Sequence, residues 1–349
     1  MTLEGLGTAA EPYLIRDAWD LGTVWFKPLA HYRLEASLDL SGTEWSAAIV
    51  PSFGGMFDGN GYVISNLQIQ GGGDLGLFGQ LDPGAYVSNL TLEAVDVSGT
   101  GDNIGVLSGY SRGSITSCYI FGSVEGNDGV GGLVGSNEGR ITMSNSSAVV
   151  KGKENVGGLV GLNHSEINTS CSGGFVRGDV SVGGLVGTNH GAITTCYRSK
   201  FKTVRGAKNI GGLVGTNRGD ITNSYSTGEV RGNRNVGGFA GTNYDSIIRC
   251  YSTGTVRGIA TIVYNLGGFV GWKGPILGSG YTSGCYWDTE TSGRSSSDGG
   301  SGRDTAEMKD VGNYRGWDFT GETENGTADI WWMPSGRSYP RLWWELDNS

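Results

Sequence analysis

One phrase returns along this chain at a nearly fixed interval, and that periodicity limits the fold more than any other property. It reads Val-Gly-Gly-Leu-Val-Gly-x-Asn, then Gly-x-Ile, then Cys or Ser followed by Tyr, then Val-Arg-Gly. Anchored on the apolar residue before the glycine pair, it falls at Ile104, Val130, Val156, Val182, Ile210, Val236 and Leu266. The spacings are 26, 26, 26, 28, 26 and 30 residues, and a weaker copy at Leu75 stands 29 residues before Ile104. Each period holds three short β-patterned pieces divided by Gly or Asn. Such pieces are too short for free-standing hairpins, and the period is too short for a four-stranded propeller blade.

One coil of a parallel β-helix fits the period, with successive coils hydrogen-bonded at about 4.8 Å. Equivalent positions then stack into columns. Leu107, Leu133, Leu159, Leu185, Leu213, Phe239 and Phe269 form one apolar column. Ile115, Ile141, Ile167, Ile193, Ile221 and Ile247 form a second, and Val124, Val150, Val176, Val204, Val230 and Val256 a third. Three apolar columns predict a three-sided core, with a right-handed coil as the default for parallel crossovers. The fold class is therefore all-β, a single-domain parallel β-helix solenoid.

Composition agrees. Sixty-five glycines and only 7 prolines in 349 residues far exceed the usual glycine share of about 7%, but no three-residue period points to collagen. A net charge of −9 argues against nucleic acid, whose backbone demands a basic footprint. No apolar run reaches the roughly 18 residues of a membrane span, so no transmembrane segment is expected. Met1–Leu6 lacks the charged and apolar regions of a secretory signal; an exported protein would have its signal removed or replaced by the initiator Met. The five cysteines, at 118, 171, 196, 250 and 285, form neither a metal pattern nor an even disulfide set. No cofactor or metal is expected.

The motif GGLVGxNxG, with Ile-x-x-Cys-Tyr and Val-x-Gly, resembles the GLUG repeat of bacterial surface proteins, adhesins and some large secreted peptidases. The flanking stretches PYLIRDAWDL, FDGNGYVISNL, CYWDTETSG and SYPRLWW are similar to those of GLUG-containing proteins. The resemblance implies an extracellular or cell-surface β-solenoid in a carbohydrate-rich or adhesive setting, and carries over no catalytic residues. The expected organisation is an N-terminal cap with first strands over 1–50, coils over 51–284 (clearest over 75–272), and a tryptophan-rich C-terminal cap over 285–349. Trp19, Trp25 and Phe26 with a short helix over Ile15–Leu21 belong to the first cap. Trp317, Trp331, Trp332, Trp343 and Trp344 belong to the second, as capping rings or a ligand platform.

Polar columns carry the functional candidates. Lys151, Arg177, Arg205, Arg231 and Arg257 each follow an inward Val, so strand alternation points them outward. They form either a solvated face, paired with acids such as Glu229 and Asp179, or a ladder gripping a uronate-containing or sulfated glycan, since guanidinium forks suit those anions. Tyr119, Tyr197, Tyr225, Tyr251 and Tyr286 form an aromatic column broken by Asn145 and Cys171; its rings either pack under a turn or stack on sugars. Asn137, Asn163, Asn189, Asn217 and Asn243 are expected to bond to one another along the coil axis. Cys118, Cys196 and Cys250 share a column with serines and read as buried thiols. His164 and His190, in successive coils, are a variable turn column or a metal pair. Asp58–Gly61 reads as a turn rather than a calcium loop.

The ligand-binding residues expected from sequence are thus Tyr197, Tyr225, Tyr251, Arg177, Arg205, Arg231 and Arg257, with a polysaccharide or cell-surface glycan, anionic in character, as partner and the chain as a monomer. The alternatives are a polysaccharide lyase or glycoside hydrolase with its site on a lateral face, and a passive spacer. Irregular coils, with Arg198–Lys202 and Ile259–Asn265, are where a site would break the repeat.

Overall fold

The computed structural model describes residues 3–199, 202–274, 280–333 and 338–348. Each period forms one turn of a parallel β-solenoid. Among the described residues, one face carries nine parallel strands from Val50–Phe53 to Val270–Lys273, and a second carries seven, from Ile104–Gly105 to Tyr264–Gly267. The third is a bent sheet of 27 short strands, three in most coils. Their registers pair Ile193 with Ile221, Tyr197 with Tyr225, and Val204 with Val230. All three apolar columns face inward and are buried. Where the leucine column ends in Phe239 and Phe269, the rings stack 4.7 Å apart.

The corners explain the phrase Gly-Gly-Leu-Val-Gly. A β-carbon at Gly157 would stand 1.9 Å from the Val160 carbonyl oxygen, and one at Gly161 would stand 2.5 Å from the Val130 amide nitrogen. Neither position has room for a side chain. Two further columns bend through left-handed backbone mostly without glycine, Gly129 and Gly284 being the exceptions. Asn155, Ser181, Asn209, Asn235 and Asn265 form one, and Ser117, Met143, Thr169, Thr195, Asn223 and Arg249 the other, all with φ near +50°. Asn tolerates this region and Thr, Met and Arg do so poorly, so the second bend is hidden in the sequence. It is held by the small residue that follows: the amides of Cys118 and Cys196 donate to the hydroxyls of Ser144 and Ser224 one coil on, at 3.2 and 3.1 Å.

The asparagine column forms the expected ladder. Each Nδ2 donates to the next Oδ1, from Asn137 through Asn163, Asn189 and Asn217 to Asn243, at 2.8 to 3.0 Å. All five side chains are buried. In the first four the second amide proton reaches a carbonyl two residues on, as from Asn137 to Gly139 O at 2.7 Å.

The ends differ from expectation. The N-terminal helix is a single turn, Ala18–Leu21, capped by Asp17, and the first coil is closed by Leu21 and Val24. Trp19, Trp25 and Phe26 point to solvent, 84%, 50% and 66% exposed. At the other end Trp287 packs into the main core. Trp317 and Trp331 instead build a second core with Tyr225, Tyr251, Tyr286 and Tyr314. That core lies along the side of the solenoid. The longer coil is also explained: Arg198 takes the inward position held by Ser172 and Ser226 in neighbouring coils. It is fully buried, donates to the carbonyls of Gly174, Ser199 and Lys202, and burial pushes its pKa down to about 10. Lys200 and Phe201 of this coil lie outside the described residues.

Two stability changes follow. Asn189→Leu breaks the ladder in its middle and strands polar groups of Asn163 and Asn217, lowering unfolding free energy by about 2 kcal/mol in urea titration. Arg249→Asn places at a left-handed bend the residue that Asn223 supplies one coil earlier, and raises it by about 1 kcal/mol. A neutral result for the second would mean that the arginine's contacts offset the backbone cost.

Candidate functional site

The tyrosine and arginine columns lie on the same bent sheet, and the structure treats them differently. Tyr197, Tyr225 and Tyr251 stack in parallel with ring centroids 5.0 and 4.9 Å apart. A C-terminal strap covers them. The Tyr225 hydroxyl donates to Glu345 Oε2 at 2.8 Å, and the Tyr251 hydroxyl donates to the Pro340 carbonyl. Trp331 packs against both rings, and Trp344 lies on Tyr197 at 5.1 Å. Tyr225 and Tyr251 are therefore buried, and only Tyr197 keeps an accessible edge.

The strap is pinned at its other end by Asp288, from the stretch Cys-Tyr-Trp-Asp. This buried carboxylate accepts from the Glu290 and Thr291 amides, both at 2.9 Å, and caps the short helix Thr289–Ser292. Its second oxygen accepts from the Thr305 hydroxyl at 2.8 Å and the Tyr339 hydroxyl at 2.6 Å. A pocket of about 460 Å³ remains between the strap and the column of Thr227 and Thr253. Among the described residues Glu345 is the one carboxylate lining it. Burial, opposed by the bonds from the Leu342 amide and the Tyr225 hydroxyl, raises its pKa.

The arginine column is open. Arg177, Arg205, Arg231 and Arg257 pair in register through consecutive coils, continuing from Glu125 and Lys151. Glu229 serves the C-terminal pair: its Oε1 lies 2.9 Å from Arg231 Nε and 3.7 Å from Arg257 Nε. These guanidinium groups hold the Glu229 carboxyl below its usual range against the opposing effect of burial. Lys151 pairs with Glu125 at 3.2 Å. Among the described residues Arg177 and Arg205 have no acid within ion-pair distance, and Asp179 makes no bridge to the column. Behind the arginines runs a glycine column, Gly152, Gly178, Gly206 and Gly232, where a β-carbon would strike core side chains. Two residues beyond it Lys208 and Arg234, both exposed, pair in register. The result is a shelf with basic residues on both flanks of a largely buried glycine line, and at its Lys151–Arg177 end a groove of about 420 Å³ that Glu125 and Asp179 also line. The sequence reading missed the Lys208 and Arg234 flank, although the signal was there: a base three residues after the column arginine in two successive coils.

The remaining candidates do not assemble. His164 and His190 stack face to face, 4.8 Å apart and 11° from parallel, so their in-plane lone pairs do not converge on one ion. No group of three metal-ligating side chains occurs among the described residues. All five cysteines are buried and unpaired, and burial pushes the thiols of Cys118 and Cys196 up to about 12; they are not nucleophiles at neutral pH. Asp58 closes a turn by accepting from the Asn60 amide at 2.9 Å. No described helix is long and apolar enough to cross a membrane.

Comparison with known proteins places these coils in context. Residues 206–231 and 232–257 match the GLUG motif, so the chain carries GLUG repeats. Halomucin of Haloquadratum walsbyi is 35% identical over 147 residues, which is 36% of this chain and 2% of halomucin. The chain thus spans a very small part of the curated relative it matches. A Bacteroides ovatus crystal structure, provisionally assigned as an immunoglobulin A1 protease, aligns with 97% of this chain and 94% of its own at 18% identity and a TM-score of 0.49. A structure of an IgA1 protease aligns with 78% of this chain and 19% of its own, at 18% identity and a TM-score of 0.33.

The strap carries its own pH dependence. A carboxyl whose folded-state pKa is raised contributes stability that is fully present below its ordinary range and is lost as pH rises through the raised value. Strap docking at Glu345 is therefore stronger in acid than at neutral pH. Glu345→Gln keeps an acceptor for Tyr225 and Leu342 without a charge. In thermal unfolding followed by tryptophan fluorescence, it is expected to flatten the pH dependence of the strap transition. An unchanged slope would assign that dependence to another group.

Proposed function

We propose that this GLUG-repeat β-solenoid works outside the cell as an adhesive glycan-binding protein, gripping an anionic polysaccharide along its arginine column. The observation that carries this reading is the pair Arg177 and Arg205, stacked in register with no acid in ion-pair range among the described residues, on a chain of net charge −9. Two like charges about 5 Å apart repel by roughly 1 kcal/mol even in water. A carboxylate or sulfate on each of several sugar residues offsets that repulsion. The coil spacing of about 4.8 Å is close to the residue repeat of an extended pyranose chain, so one sugar can face each coil. Arg205 and Arg231 stand on one flank of the glycine line and Lys208 and Arg234 on the other, so basic groups can reach a bound polymer from both sides. Of the residues singled out in the sequence, Arg177, Arg205, Arg231 and Arg257 serve this binding; Tyr225 and Tyr251 serve the strap. The GLUG repeats and the halomucin match support a surface or secreted setting.

Affinity electrophoresis through polygalacturonate, dextran sulfate and neutral dextran tests the reading. Retardation by one or both anionic polymers and not by dextran is expected, weakening with salt as exposed charges are screened. The double substitution Arg177→Glu with Arg205→Glu should weaken it by about tenfold or more while leaving the unfolding midpoint unchanged, since both side chains are exposed. Equal retardation of the double variant would sink the proposal. Release of reducing or unsaturated ends in the same incubations would identify an enzyme instead.

A further inference from the structure

The tyrosine column is interrupted at Asn145 and Cys171, and the strap stops beside that interruption. The register runs Tyr119, Asn145, Cys171, Tyr197 through four consecutive coils. Tyr119 and Tyr197 are therefore three coil steps apart, about 14 Å, with two smaller side chains on the floor between them. Trp344, lying on Tyr197 and donating from Nε1 to the Thr195 carbonyl at 3.1 Å, closes one end. Trp343 stands beside it. The space enclosed is about 380 Å³, within the usual range for small-molecule sites of roughly 300–1,000 Å³.

Three features of this notch point to one kind of occupant. Its aromatic walls are accessible: Tyr119 is 43% and Trp343 44% exposed, large rings that a fold would otherwise bury. Asn145 lines its floor, and the Oδ1 of that side chain is buried with no hydrogen-bond partner among the described residues. Such an acceptor costs stability until a donor reaches it. Among the described residues its lining contains no charged side chain, so an ionised ligand would lose hydration there without gaining a counter-ion from them. An occupant with an apolar face, hydroxyl donors and no charge meets all three conditions.

We propose that the notch is a saccharide subsite for one neutral pyranose ring, with the C–H face of the sugar against the aromatic walls and a hydroxyl donating to Asn145 Oδ1. The subsite is distinct from the basic shelf, shares no lining residue with its groove, and does not rest on the anionic-polymer reading. The strap is part of it, because Trp343 and Trp344 supply one wall.

The test is titration of the full chain with cellohexaose, chitohexaose, maltohexaose and mannohexaose, followed by tryptophan fluorescence. At least one should give a saturable change. Trp343→Ala and Tyr119→Asn, the latter placing at this column position the residue of the next coil, should each weaken that binding about tenfold. Asn145→Leu should weaken it while keeping the pocket's volume. Arg177→Glu with Arg205→Glu should leave it unaltered, which separates failure here from failure of the basic shelf. The proposal is overturned if none of the four hexaoses produces a saturable change, or if the change persists at full affinity in both aromatic variants.

Discussion

Every side chain in this solenoid must tolerate a near copy of itself one coil above and one below, about 4.8 Å away. That constraint orders everything else. Apolar columns satisfy it by packing, as Ile193 on Ile221. Amides satisfy it because each is both donor and acceptor, which turns Asn137 to Asn243 into a continuous buried ladder. Aromatic rings satisfy it by parallel stacking, as Tyr197, Tyr225 and Tyr251 do. Guanidinium groups satisfy it only with counter-ions, and Glu229 provides for two of the column while Arg177 and Arg205 have none among the described residues.

The strap follows from the same rule. A stack of tyrosines on the outer face leaves an apolar strip several coils long, and a solenoid's own repeat offers nothing to cover it. The C-terminal segment provides that cover once, with Trp317 and Trp331 packed on the rings and Glu345 and Pro340 accepting their hydroxyls. Asp288 ties the strap to the last coil through Tyr339 and Thr305. Its four donors come from backbone and side chains on both sides of the junction, so one buried carboxylate sets where the strap leaves the solenoid.

The coil register was legible because it depends on identity at fixed spacing: the Ile, Val, Asn, Tyr and Arg columns read from the sequence are the columns the strands pair. The bend at Thr195 was not, since left-handed backbone there is held by the Ser224 hydroxyl in the next coil and the position itself carries neither Asn nor Gly. Arg198 was legible only as an irregularity; that it turns inward depends on three carbonyls brought together by the longer coil. The tryptophans could not be placed from sequence, because they lie outside the repeat. Whether Trp331 closes an end or lines a side depends on contacts with residues about 80 to 105 positions earlier, such as Tyr225 and Tyr251, which no local pattern encodes.

Departures from a column's rule are where a repetitive surface acquires distinct places. The outward column of the third face runs Gln70, Ser98, Glu125, Lys151, Arg177, Arg205, Arg231 and Arg257, so its charge changes sign once, at the Glu125–Lys151 pair. Its basic stretch covers five coils, from Lys151 to Arg257, roughly 20 Å, and beyond it the column holds one carboxylate, Glu125, and then the uncharged Ser98 and Gln70. The aromatic column changes over the same stretch, from covered tyrosines at Tyr251 and Tyr225 to the open notch at Cys171 and Asn145. Both changes fall in coils whose Ile and Val columns remain unbroken. The core repeat thus keeps the geometry constant while its outer face varies, and the distinct places on that face arise without any loss of packing inside.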